Sequence, residues 1–299
     1  MIIRNCFQFS GSFMLSYRHG YHAGNHADVL KHLVLLALLQ KMRAKDKPFI
    51  VIDSHAGNGV YRLDSVQARK TREVESGILP LWQQFRRHGV KNPLLQSYLN
   101  TVANLDADNA GETLAVYPGS PTFSQSQLRE QDRMILMELH SSEIEELRQN
   151  FHYDRRIAIH HRDGFEGAVA LSPPTPRRGL MLIDPAYEDK EDYDRVIKTV
   201  REVHRRWATG VIAVWFPMLG RARDHSPMLI KALSRLPGAR VMTLAVSHQT
   251  EEFGMHGSGM LVVNTPWQFG AVVDPAMNEV VSCLAGSCPA AEYRVIVGA

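Results

Sequence analysis

Five short apolar runs, each followed by a polar turn, constrain this chain more than any other feature. Pro48-Phe-Ile-Val-Ile-Asp53 leads into Ser54-His-Ala-Gly57-Asn-Gly59, and Met134-Ile-Leu-Met-Glu138 into a helical pattern at about 142–150. Arg156-Ile-Ala-Ile-His160 runs to Asp163-Gly164. Leu180-Met-Leu-Ile-Asp184 runs to Pro185-Ala186-Tyr187 and then a helical pattern through about Arg206, after which Val211-Ile-Ala-Val-Trp-Phe-Pro217 follows. Apolar strands that alternate with helices read as a doubly wound, mostly parallel sheet with helices on both faces. Ligands bind such sheets beyond the carboxyl ends of the strands. Asp53, Glu138, Asp163 and Asp184 are therefore expected to line one cleft.

The rest of the chain fills in around that rhythm. A buried first helix is predicted from a cap region at Asn25–Asp28 to about Ala44, because its middle is apolar nearly all round. Residues 61–110 break the alternation and read as a small helical insertion, with Trp82, Phe85, Leu94, Leu95, Tyr98 and Leu99 at three- and four-residue spacings. Residues 240–265 read as two terminal strands. No 20–50-residue repeat is visible, so solenoids are not expected. A chain of 299 residues is long enough for one large domain with a core needing no disulfide or metal.

Composition narrows the class of protein. The longest purely apolar run, Leu33 to Leu39, is far below the ~20 residues that span a bilayer. Cys6, Cys283 and Cys288 form no paired framework, which fits a reducing, cytoplasmic setting. Residues 1–13 show no signal-peptide pattern. The formal charge of +3 is compatible with a nucleic-acid partner without requiring one. The pairs Arg86-Arg87, Arg155-Arg156, Arg177-Arg178 and Arg205-Arg206 could combine into an RNA track. His22 and His26, four apart, invite a metal reading, but no cysteine or carboxylate pair completes a site, and no metal is expected.

Two turns carry chemistry. Asp53-Ser-His55-Ala-Gly57-Asn-Gly59 departs from the dinucleotide spacing and reads as a ligand loop on glycines, which let a backbone approach closely. Asp184-Pro185-Ala186-Tyr187 ends an apolar strand. Its carboxylate and the Pro185 carbonyl can both accept from an exocyclic amine, while the Tyr187 ring can stack on a flat base. No G-x-S-x-G elbow supports a hydrolase.

The Asp-Pro-Ala-Tyr turn resembles the amino-methyltransferase motif of class I S-adenosylmethionine-dependent enzymes. Met14-Leu-Ser-Tyr17-Arg-His19-Gly-Tyr-His22-Ala-Gly-Asn25-His26-Ala-Asp28-Val-Leu-Lys31-His32 is similar to the N-terminal signature of the RlmJ family. These enzymes are 23S rRNA adenine-N6 methyltransferases named for adenine 2030. Tyr117-Pro-Gly-Ser120-Pro121, Glu138-Leu-His140, Asp163-Gly164-Phe165 and Ser258-Gly-Met-Leu-Val-Val-Asn264 extend the match over most of the chain. The resemblance implies an α/β, Rossmann-like class I methyltransferase fold with a mostly parallel seven-stranded sheet. S-adenosyl-L-methionine would be the cofactor and 23S rRNA the substrate, with no obligate protein partner evident. His32, His55, Ser120, Glu138, Asp163, Gly164 and Asp184 would bind the cofactor. Glu138 would take its ribose hydroxyls, and Asp163 beside Gly164 its adenine. Asp184, Pro185 and Tyr187 would be catalytic, and Tyr17 would contact RNA. The catalytic domain would run from 14 to 299, making residues 1–13 an extension expected to be disordered.

Two departures stand out, one being that the stretch after about Pro266 matches no motif of the family. The other is that the family's second proline is Ala186 here, which removes a φ restraint and the extended bias on the residue before it. Weaker preorganisation is the expected cost. A DNA adenine-N6 methyltransferase and a catalytically silent RNA-binding homologue are the alternatives.

Overall fold

In the computed structural model, residues 19–65, 71–105, 111–251 and 254–298 are described. The Asn25 side chain caps the first helix, α1 (His26–Arg43), by accepting the Ala27 and Asp28 N–H groups. Its leucine- and valine-rich middle is buried on every side, because α1 is sandwiched between the sheet and a further helical layer. The apolar runs form β1 (Ile50–Asp53), β4 (Arg133–Glu138), β5 (Ile157–His161), β6 (Gly179–Ile183) and β7 (Val211–Leu219). All pair in parallel, in the order β5-β4-β1-β6-β7. Chain order reverses between β1 and β6, so the switch point of the sheet lies at the β1/β6 boundary.

Beyond β7 the sheet continues with β9 (Met255–Val263) and β8 (Arg240–Ala245), with β9 antiparallel to both neighbours. A final strand, β10 (Glu292–Val297), pairs antiparallel with β8 at the edge. Among the described residues the sheet thus has eight strands, one more than the seven expected. The extra strand follows the stretch after Pro266, where the family pattern gives no motif to read.

Between β1 and β4 the chain leaves the sheet. It forms β2 (Val60–Arg62), α2 (Ile78–His88), α3 (Pro93–Leu105), β3 (Val116–Pro118) and α4 (Ser120–Gln125). The predicted helical stretch is therefore opened and closed by two short strands, which pair antiparallel as a clasp. Trp82, Leu94, Leu95, Tyr98 and Leu99 all pack in the core on the α1 side. The other face of the sheet is covered by α6 (Gly164–Ala170), α7 (Glu191–Arg206) and α8 (Ser226–Leu233). Helix α5 (Ser141–Phe151) connects β4 to β5, and α9 (Phe269–Leu284) packs beside α1.

Candidate active site

The carboxyl ends of β4, β5 and β6 open on a cavity of about 190 Å³, bounded on the other side by α1 and α4. Glu138 closes β4. Its two oxygens accept the Gly57 and His140 N–H groups at 2.9 and 2.7 Å, so the carboxylate clamps the loop after β1 to the loop after β4. Asp163 caps α6: Oδ1 accepts the Phe165 and Glu166 N–H groups at 2.8 and 3.0 Å. Burial would raise the Asp163 pKa, but these amides and the nearby Arg195 guanidinium outweigh it and hold the carboxyl below its usual range. Gly164 must be glycine for steric reasons, since a Cβ there would lie 1.9 Å from the Ser54 carbonyl oxygen.

Lys31 dominates the electrostatics of the cleft. It is 5% exposed on α1, and its Nζ donates to Asp184 Oδ2 at 2.7 Å and contacts Asp28 Oδ1 at 2.8 Å. Burial works against its charge, but the two carboxylates prevail and raise its pKa. Asp28 is buried as well, with Oδ2 bound to His19 Nε2 and the Gly24 N–H, both at 2.9 Å. Against its own desolvation, the charges of His19 and Lys31 hold its carboxyl low. Asp184 therefore reaches the cleft already tethered through one oxygen.

Two of the histidines that line the cleft, His32 and His55, are kept neutral. Burial pushes His55 down to about 4; its Nδ1 meets Ser54 Oγ at 2.7 Å, and its ring meets the Phe165 ring edge-on. Burial also holds His32 well below its ordinary value. Its Nδ1 is bonded to the Tyr117 hydroxyl at 2.8 Å, its ring lies against Phe123, and its Nε2 is buried without a hydrogen bond, 3.8 Å from Asp28 Oδ1.

Of the residues predicted from the sequence, His32, His55, Ser120, Glu138, Asp163, Gly164, Asp184 and Pro185 meet in this one cleft. Tyr17 lies outside the described residues. Two placements differ from expectation. Tyr187 does not line the cleft: it sits at φ 52° and turns its ring inward against Tyr193 and Trp215. There its hydroxyl donates to the Trp215 carbonyl at 2.7 Å. A buried phenol needs such a partner, so in this arrangement the ring is not available for base stacking. Asp53 is 1% exposed and also withdrawn from the cleft; it accepts the Ser120 hydroxyl at 2.6 Å. Its burial pushes the carboxyl up to about 6, although the Ser120 bond opposes the shift.

The arginine pairs do not assemble at the cleft. Arg155-Arg156 and Arg177-Arg178 precede β5 and β6, and Arg205-Arg206 ends α7 before β7, all at the opposite end of the sheet. Arg156 is bound to Asp154 there, and Arg205 and Arg206 to Glu202. Among the described residues no group of three or more His, Cys, Asp and Glu side chains is gathered as metal ligands, and no helix is long and apolar enough to cross a membrane. Sequence reasoning missed Lys31 and Asp28 as site residues. The available signal was their i, i+3 spacing as charged interruptions of an otherwise apolar helix.

This strand order, with β9 and the edge strand β10 reversed and acidic residues around a cleft at the parallel strand ends, defines a Rossmann-like class I methyltransferase fold. Residues 46–292 match the family described as Ribosomal RNA large subunit methyltransferase D, RlmJ. The chain is 41% identical to Ribosomal RNA large subunit methyltransferase J of Escherichia coli (strain K12), over 91% of this chain and 93% of that protein. It is 40% identical, at the same coverage, to the protein of that name from Haemophilus influenzae. A crystal structure of protein LPL1258 from Legionella pneumophila superposes with a TM-score of 0.83 at 30% identity, covering 93% of this chain and 99% of that one. The chain belongs to the RlmJ family of ribosomal RNA large subunit methyltransferases.

Proposed function

We propose that the protein transfers a methyl group from S-adenosylmethionine to the N6 amine of an adenine in 23S rRNA, adenine 2030 by family resemblance. The observation that carries this reading is the placement of Asp184 and Pro185 in the same cleft as Glu138 and Asp163. A turn that can accept an amine thus faces two carboxylates that can accept from a nucleoside's hydroxyls and amine. Glu138 and Asp163 close neighbouring strands, and each is anchored by two N–H groups. Carboxylate oxygens have further lone pairs, so these two can accept from ribose hydroxyls and an adenine amine. His32, His55 and Ser120 complete the walls, and Gly164 lets the loop after β5 pack directly on the Ser54 backbone. When bound, the cofactor supplies an electrophilic methyl on a sulfonium.

The chain's own part is to activate and orient the amine. An adenine N6 lone pair is delocalised into the ring and is a poor nucleophile. Lys31 holds Asp184 Oδ2, leaving Oδ1 to accept one amine N–H while the Pro185 carbonyl accepts the other. Both bonds strengthen as positive charge develops on nitrogen, so they stabilise the transition state more than the ground state. Holding amine and methyl donor in line supplies the proximity effect. The target base has to leave its stack to enter, which favours an accessible or flipped adenine.

The test is methyl incorporation into protein-free 23S rRNA and into genomic DNA by wild type and Asp184→Asn. Transfer into rRNA alone, lost in Asp184→Asn while S-adenosylhomocysteine still binds, is the expected result. Transfer into DNA instead, or none by wild type despite RNA binding, would overturn it. Mapping N6-methyladenine in rRNA from cells with and without the gene identifies the nucleotide.

A further inference from the structure

Arg195, on the cleft side of α7, occupies the place that the Asp163 end of the cleft would offer a ligand. Its guanidinium carbon lies 4.1 Å from the centroid of the Phe165 ring, and Nη2 donates to Asp163 Oδ2 at 2.8 Å. A weaker contact runs from Nη1 to Asp192 Oδ1 at 3.4 Å. Asp163 Oδ1 is already committed to the Phe165 and Glu166 amides. The oxygen the carboxylate has left for the cleft is therefore the one Arg195 takes. A guanidinium is planar, carries N–H groups in its plane and stacks on aromatic faces. An aminopurine would use the same oxygen and the same aromatic surface in the same way.

We propose that Arg195 is a built-in surrogate for the cofactor's adenine, closing the Asp163 end of the cleft and swinging outward before the nucleoside settles. The inference rests on the reading of Asp163 as the adenine-binding carboxylate. The side chain has room for that movement. It is 48% exposed, and it forms the wall between the cleft and a shallow groove between α6 and α7 that contains Glu166 and Glu202. Both carboxylates are already paired, Glu166 with Arg162 and Glu202 with Arg205 and Arg206, so the displaced guanidinium swings into solvent.

The effect is bounded by the contacts. A half-exposed ion pair and a cation–π contact are each weak. Ligand affinity falls in proportion to the fraction of protein that is open, so closure by Arg195 costs the cofactor about threefold to tenfold in Kd. Because opening precedes binding, the penalty belongs to the association rate and leaves dissociation unchanged.

Arg195→Met keeps the aliphatic stem and removes both contacts, and Arg195→Ala removes the side chain. Calorimetry and stopped-flow binding with S-adenosylhomocysteine should show each variant binding about threefold to tenfold more tightly than wild type. The gain should lie in faster association, with thermal stability close to wild type. An unchanged or weaker Kd in both variants, or a gain that comes from slower dissociation, overturns the proposal. If neither the wild type nor the variants bind the probe, the cofactor reading fails and takes this one with it.

Discussion

Replacing Lys31 by methionine tests the electrostatic core of the site. The substitution keeps most of the side-chain volume and deletes the cation shared by Asp28 and Asp184. Asp28 is 1% exposed, so its carboxylate would be left buried with the His19 ring, the Gly24 N–H and, at 3.8 Å, His32 Nε2 around it. Removing one member of a buried ion pair typically costs about 3–5 kcal/mol. For a chain of this size that is a fall in Tm of roughly 6–15 °C. The effect has a predictable pH signature. Lys31 has a raised folded-state pKa, so its contribution is fully present below the unfolded lysine value of about 10.4 and does not vary between pH 5 and 8. The variant differs: without the cation, Asp28 is driven to take up a proton, and the stability gap to wild type should narrow as pH falls from 8 to 5. Urea denaturation of both proteins across that range, with Lys31→Met/Asp28→Asn as a third sample, is the assay. The double variant should recover at least half of the loss, because a neutral amide in place of the Asp28 carboxylate buries no charge. A loss under about 1 kcal/mol at pH 8, or a gap with no pH slope, would refute the argument that Lys31 compensates two desolvated carboxylates.

Further outcomes can be checked alongside. Asp53 has a folded pKa raised to about 6, above its unfolded value near 3.9. The folded state therefore binds more protons between those values, and this group's contribution falls as pH rises through them; Asp53→Asn should remove that component from the stability–pH curve. Burial lowers His26 and His55 to about 4, so the unfolded chain takes up protons first on acidification. Each should subtract up to about 1.4 kcal/mol per pH unit below 6.5, and His55→Gln should flatten the acid limb measured by urea denaturation. Tyr187→Phe loses the bond to the Trp215 carbonyl and should cost about 1–2 kcal/mol of stability, with S-adenosylhomocysteine affinity unchanged by calorimetry. Gly59→Ala should lower Tm by several degrees. The residue has φ +78°, and a Cβ would lie 2.4 Å from the Phe151 ring.

The sequence was most informative where structure is local. The Asn25 cap, the apolar strands and their polar ends follow from side-chain spacing and hydrogen-bonding chemistry over a few residues. Those signals were enough to bring Glu138, Asp163 and Asp184 to the same end of a parallel sheet. They were not enough for β10, whose pairing with β8 joins segments some 50 residues apart and is set by what the sheet edge leaves open.

Tertiary structure decided which side chains face the cleft and what holds them there. Lys31 meets Asp184 across 153 positions, and Ser120 meets Asp53 across 67. The second contact draws Asp53 out of the cleft that its strand position predicted for it. Arg195 reaches Asp163 and the Phe165 face because α6 and α7 pack side by side. Tyr187 turned inward because its hydroxyl found the Trp215 carbonyl within an aromatic cluster. A periodic pattern fixes the end or face of an element where a residue lies. The rotamer it adopts depends on competition among partners distant in sequence, so the apolar runs alone could locate the cleft but not the Lys31 tether or the arginine that closes it.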